Sequence, residues 1–135
     1  MLNRIKIFHI TIIVIVLLLS LLLVFYFNSL YAPAWAIRKR IINEIPIGTS
    51  MEQVLKFVET NVEKKNWEFD GIVYDRGILP SAHPNKTDST IGSKSMEVYL
   101  GTSYFVLSTT VTAHFAFDEE SKLIYVFIWK DLNSI

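Results

Sequence analysis

Thr110-Val111-Thr112-Ala113-His114-Phe115-Ala116-Phe117, then Asp118-Glu119-Glu120-Ser121, then Lys122-Leu123-Ile124-Tyr125-Val126-Phe127-Ile128-Trp129, is the stretch that decides the fold. Its first run alternates Val111, Ala113, Phe115 and Phe117 with Thr110, Thr112, His114 and Ala116. A period of two marks a strand with one face against a core. Four polar residues suited to a turn follow, and the return run from Leu123 to Trp129 is apolar on both faces. Together they predict an antiparallel hairpin.

The register of that hairpin stays open in the sequence. With a four-residue loop, Phe117 faces Lys122 and His114 faces Tyr125, setting Thr110, Thr112 and His114 beside Leu123, Tyr125, Phe127 and Trp129. With a three-residue loop the partners slip by one, and the same row meets Ile124, Val126 and Ile128. Either way, the face bearing Thr110, Thr112 and His114 also bears large apolar residues and needs a cover. On one reading the 77–94 loop or the juxtamembrane helix supplies it. On the other a partner protein does, since exposed apolar patches mark interaction sites. The candidate partner-binding face is then Thr110, Thr112, His114, Tyr125, Phe127 and Trp129.

Upstream, Met96, Val98 and Leu100 alternate with Glu97 and Tyr99, a further strand. Trp67 and Phe69 alternate with Glu68 and Asp70, and the run resumes at Ile72-Val73-Tyr74. Between these regions lies Gly77 to Lys94, rich in Gly, Pro, Ser, Asn and Thr, a long surface loop. Loops of that length are more often functional or mobile than idle. Ahead of the strands, Val54, Leu55, Val58 and Val62 form one apolar stripe of a helix reaching about Lys65. Ser50 with Gln53, or Thr49 with Glu52, supplies its capping box. A helix followed by strands with no second crossover helix predicts the α+β class. The expected domain is small and two-layered, one main helix packed on a meandering antiparallel sheet of three to four strands.

Before the domain, Ile7 to Phe27 is nearly unbroken Ile, Leu, Val and Phe, interrupted by His9, Thr11, Ser20 and Tyr26. About 21 helical residues span roughly 30 Å, the thickness of a bilayer's hydrocarbon core. A cleaved signal peptide is the rival reading, with Ala32-Pro33-Ala34 and Ala34-Trp35-Ala36 as small-x-small sites. Signal cores are shorter than this run, which favours an uncleaved signal anchor. Ala34, Ile37, Ile41 and Ile45 recur at helical spacing behind Pro33, and Pro46 and Gly48 end that helix. Tyr31, Trp35, Arg38, Lys39 and Arg40 are the candidate membrane-interface residues. The chain thus divides into a tail at 1–6, a transmembrane helix at 7–27, a partly helical juxtamembrane stem at 28–47 and an α+β globular domain at 48–135.

All 13 acidic residues lie after Arg40, so the first forty residues carry only basic charge. Basic residues flanking an apolar segment fit an anionic lipid surface, and the mildly acidic domain argues against a nucleic-acid footprint. Arg4 and Lys6 abut the span on one side, and Arg38 to Arg40 lie about a dozen residues beyond it on the other. The nearer pair sets the N-terminus inside and the domain on the extracytoplasmic, periplasmic or outer, side.

No site chemistry emerges. The chain lacks cysteine, and His9, His83 and His114 have no chelating spacing, so no metal is expected. Ser81, His83 and Asp88 fall together in the loop without the glycines of a nucleophile elbow, and Asp75 and Asp88 have no fixed separation. Asn85-Lys86-Thr87 matches a glycosylation sequon, meaningful only in a eukaryotic secretory protein. No phosphate-binding loop is present, and neither a catalytic residue nor a cofactor is expected.

Ile47-Gly48-Thr49-Ser50-Met51-Glu52-Gln53-Val54, Trp67-Glu68-Phe69, and Ala113-His114-Phe115-Ala116-Phe117-Asp118 with Lys122-Leu123-Ile124 resemble pieces of the SmpA/OmlA lipoproteins. That family includes the small accessory subunit of the outer-membrane β-barrel assembly machine. Here a helical anchor stands in place of the lipobox cysteine. The resemblance implies an α+β fold of that kind and an envelope-assembly setting. The function expected from the sequence is a non-enzymatic, single-pass, membrane-anchored binding or assembly module of the cell envelope, its partners the lipid bilayer and another envelope protein. The alternative is a small membrane-anchored enzyme, or a toxin-neutralising (immunity-type) protein, using the 77–94 loop.

Overall fold

A single unbroken helix, α1 (Leu2–Asn28), opens the structure, a computed structural model that describes residues 2–79, 90–104 and 108–133. Its 27 residues span about 40 Å, beyond both ends of the 7–27 segment. Asn3–Asn28 is long and apolar enough to cross a membrane, and none of its most apolar 18 residues is buried. Three of the four polar side chains that interrupt it bond within the helix. Thr11 and Ser20 donate to the carbonyls of Ile7 and Val16 at 2.9 and 2.7 Å, and His9 Nδ1 lies 2.6 Å from the Ile5 carbonyl. Such back-bonding leaves little hydrogen-bonding demand on the helix surface.

The chain leaves α1 through a turn held by two cations. Arg40 donates to the carbonyls of Asn28 and Ser29 at 2.6 and 2.9 Å, and Lys130 Nζ donates to those of Leu30 and Ala32 at 2.9 and 2.7 Å. Carbonyls at a helix C-terminus lack intrahelical donors and carry partial negative charge, so cations are favoured there. Helix α2 (Ala34–Glu44) follows with Pro33 at its N-cap. Ala36, Ile37 and Ile41 on α2, with Ala32 and Ile45 flanking it, join the same buried cluster as the sheet. This corrects the expectation of one main helix over the sheet, because the juxtamembrane helix forms part of that layer. Its apolar spacing was legible, but spacing alone does not say whether the stripe meets lipid or protein.

Helix α3 (Met51–Lys65) begins at Ser50, whose hydroxyl accepts from the Gln53 amide at 3.4 Å. Thr49, the alternative cap, instead donates to the Pro46 carbonyl. The helix stops at Asn66, held in the left-handed conformation that asparagine tolerates. Val54 and Val58 are fully buried, and Trp67 packs edge-on to Phe57 at 5.7 Å.

The sheet is antiparallel, in the order β1 (Lys94–Tyr104), β2 (Ser108–Phe117), β3 (Leu123–Asn133). The Trp67–Phe69 and Ile72–Tyr74 runs do not form strands. They follow the outer edge of β1 through isolated bridges, Glu68 to Tyr99 and Tyr74 to Ser95, a broken fourth edge interrupted at Gly71. At the opposite edge, Gly48 to Met51 bonds to Ser121 and Leu123.

Neither expected register holds along the whole hairpin. Asp118 and Lys122 bond across the turn, and Ser121 adopts φ +61°, giving a three-residue loop with Phe117 opposite Leu123. A bulge at Ile124 then shifts the pairing, so Ala116 meets Tyr125, His114 meets Phe127 and Thr112 meets Trp129. A bulge adds one residue to one strand and so reverses which row faces which side. Val126 and Ile128 point into the core with Phe115 and Phe117, while the Thr–His row shares the other face with Tyr125, Phe127 and Trp129.

Candidate functional site

The side of the sheet away from the helices is partly roofed by the segment 74–79, whose position follows from backbone pairing. Tyr74 and Ser95 exchange hydrogen bonds at 2.8 and 3.0 Å, Ser95 Oγ donates to the Arg76 carbonyl at 2.7 Å, and Ile78 and Ile91 exchange a pair at 2.9 Å each. The 77–94 loop is therefore closed at its base by a short ladder. Gly77 sits where a side chain cannot, since a Cβ there would collide with the carbonyls of Ile91 and Gly92. Glycine is what lets this arm press against the returning chain ahead of β1.

Between the arm and the sheet lies a cleft of about 360 Å³. His114, Phe127 and Trp129 line it from the sheet, Ser95 and Glu97 from β1, and Tyr74, Arg76, Ile78 and Leu79 from the arm. Phe127 sits between His114 and Trp129, each ring centroid 6.1 Å away. Arg76 lies over the Tyr74 ring at 5.4 Å. His114 Nδ1 is 3.4 Å from Glu97 Oε1. Burial pushes the imidazole below its ordinary pKa of 6.5, while the Glu97 carboxylate pulls it back up. His114 is thus neutral at pH 7, and its contact with Glu97 is polar rather than an ion pair.

Three of the six residues in the candidate face, His114, Phe127 and Trp129, come together in this cleft. Thr112 lies beside it in a shallower groove with Phe69, Asp70 and Tyr99. Tyr125 is covered by the Arg38 guanidinium, 5.2 Å from its ring centroid, and Thr110 pairs with Asp131 near the far end of the strands. Tyr74, Arg76 and Glu97 are cleft residues that the sequence did not single out. The only signal was the strand-like Ile72-Val73-Tyr74 run, which showed no partner. Ser81, His83, Asp88 and the Asn85 sequon lie outside the described residues, and Asp75 is exposed. Among the described residues, no three His, Asp or Glu side chains gather as a metal site would require.

The candidate interface residues divide. Tyr31 and Trp35 are exposed, at 46% and 63%, and Lys39 is exposed as well. Arg38 donates to the Val126 carbonyl at 2.7 Å, and Arg40 holds the turn after α1. Burial lowers the pKa of Arg40 and Glu44 raises it. A second cavity of about 440 Å³ lies at this junction, walled by Leu30, Ile37, Ile41, Trp67 and Leu100, with Arg40 and Lys65 at its rim.

Compared with protein-family models, curated proteins and solved structures, the chain matches none, so the likeness to SmpA/OmlA lipoproteins stands on the quoted residues.

Proposed function

We propose that this protein is a single-pass, membrane-anchored binding module that offers the cleft over His114, Phe127 and Trp129 to a segment of another envelope protein. One observation carries the reading. Among the described residues, Phe127 and Trp129 each keep part of their surface exposed, on a sheet face that the arm roofs in part and the helices reach at Tyr125, through Arg38. Aromatic side chains in a partly desolvated cleft are the usual anchors of a protein interface. A volume near 360 Å³ suits one or two large side chains of such a partner. The sequence resemblance to envelope-assembly lipoproteins points the same way.

The anchor is retained on this reading. Both small-x-small sites lie in chain that the domain uses: Ala32 is fully buried, Ala36 is buried in α2, and the Leu30 and Ala32 carbonyls accept from Lys130. Cleavage there would strip the domain of packed residues. Arg4 and Lys6, nearer the span than Arg38 to Arg40, favour the N-terminus inside and the domain on the extracytoplasmic side, which protease accessibility in intact cells tests directly.

A photoreactive residue at Trp129 should cross-link the partner in cells, whereas one at the exposed Glu59 of α3 should not. Phe127→Glu should abolish the adduct while leaving the domain folded. Ile128→Glu is the contrast: Ile128 is 5% exposed on the core face, so a buried carboxylate there unfolds the domain. Equal cross-linking from both positions, or an adduct indifferent to Phe127→Glu, would refute the assignment.

A further inference from the structure

The exposed apolar side chains of the domain are not scattered evenly. Outside α1 and among the described residues, the largest exposures belong to Tyr104 at 71%, Leu132 at 66% and Trp35 at 63%. All three lie at the end of the molecule where α1 emerges. Tyr104 and Leu132 close the same end of the sheet, opposite Ser108 and Thr109 of β2. The Tyr31 hydroxyl donates to the Tyr104 carbonyl at 2.6 Å, three residues past the end of α1. Trp35 lies 6.1 Å from Phe27, in the last turn of α1.

That end is also fixed relative to the anchor. Lys130, two residues before Leu132, turns inward to the Leu30 and Ala32 carbonyls, and Arg40 grips those of Asn28 and Ser29. Gly101 keeps φ +134° at the β1 bulge, and a Cβ there would meet the Leu30 side chain at 2.8 Å. The sheet therefore follows α1 through packed, hydrogen-bonded chain.

We infer that Tyr104 and Leu132, with Tyr31 and Trp35, form a second membrane contact that rests this end of the sheet on the bilayer holding α1. The inference rests on α1 being the anchor. Aromatic residues beside a membrane span settle at the headgroup level, and Tyr104 and Leu132 continue that belt onto the domain. Exposed Asp131 adjoins Leu132, so the contact is apolar in origin and persists on a zwitterionic bilayer at high salt. Docked this way, the domain does not swing on its stem. Phe127 stands up to about 17 Å along β3 from Leu132, which sets the height at which a partner meets the cleft.

The chain has no cysteine, so single-cysteine labelling of the full protein in zwitterionic nanodiscs tests this directly. An environment-sensitive dye is placed at Tyr104→Cys, Leu132→Cys, Glu120→Cys in the far turn, and Leu18→Cys in α1. Tyr104→Cys keeps the carbonyl that Tyr31 uses. Dyes at 104 and 132 should be blue-shifted, and lipid-borne quenchers should quench them several-fold more than the dye at 120. Quenching by aqueous iodide should run in the opposite order. If 104 and 132 match 120 while Leu18→Cys is quenched by lipid, the second contact is wrong and the anchor stands. Shielding of 104 and 132 from both quenchers would mean that protein covers the rim, which also overturns the lipid contact. If lipid fails to quench Leu18→Cys, the anchor reading fails and takes this inference with it.

Discussion

Replacing Ile41 by alanine should destabilise the folded domain about as much as a substitution in the middle of the sheet. Ile41 is 4% exposed and shares one apolar cluster with Ile37, Val58, Val98 and Phe115. Removing its outer carbons loses about 0.8 kcal/mol of transfer free energy for each of three methylene equivalents, roughly 2.4 kcal/mol. The cavity left between helix and sheet adds to this, for a total of about 3 kcal/mol, within the range of buried Ile-to-Ala changes. For a domain of this size that lowers Tm by roughly 12–24 °C. Denaturation of the full chain in non-ionic detergent, followed by the emission of buried Trp67, reads the effect. Lys39→Ala, on the exposed side of the same helix, should stay within about 0.5 kcal/mol of wild type. If Ile41→Ala were equally silent, α2 would be a detachable stem and the packing described for it would be wrong. The same reasoning predicts that a chain starting at Gly48 fails to unfold cooperatively, whereas one starting at Ser29 retains a sharp transition.

Stability should also depend on pH through His114. Its folded-state pKa lies below 6.5, so the unfolded chain binds the proton more readily, and stability falls as pH drops through about 6.5 towards the folded value. Denaturation midpoints from about pH 8 to about pH 5 should decline for wild type and flatten for His114→Gln; parallel profiles would sink the assignment. Gly77→Ala should push the arm off the returning chain, costing about 1–3 kcal/mol as overpacking does. Amide exchange at Ile78 and Ile91 would then accelerate ahead of the β2 and β3 amides, and unchanged protection at those two amides would show that the arm is not held by that close approach.

The elements were largely legible because each carries its own period. The Val111–Phe117 alternation gave the inward row of β2, the Val54–Val62 stripe gave α3, and the cap at Ser50 gave its start. The candidate face was legible as a row, since Thr110, Thr112 and His114 alternate with core residues whatever the pairing. Its neighbours across the strand were not, because the bulge at Ile124 lies in a run of seven apolar residues where every register buries something. Nor was the cleft, whose second wall comes from residues 74–79, about 40 positions earlier in the chain, held by bonds to Ser95 and Ile91.

By itself, then, the sequence determined that an apolar helix of membrane-spanning length precedes a small α+β domain, and which residues of β1 and β2 face the core. These follow from length and period, which are local properties. Only the tertiary structure decided that α2 packs on the sheet, that the Thr–His row shares its face with Tyr125, Phe127 and Trp129, and that Tyr104 and Leu132 lie beside the end of the anchor. Those outcomes depend on which surfaces meet. An amphipathic stripe is satisfied equally by lipid, sheet or partner, so local pattern leaves the choice to the packing of the whole chain.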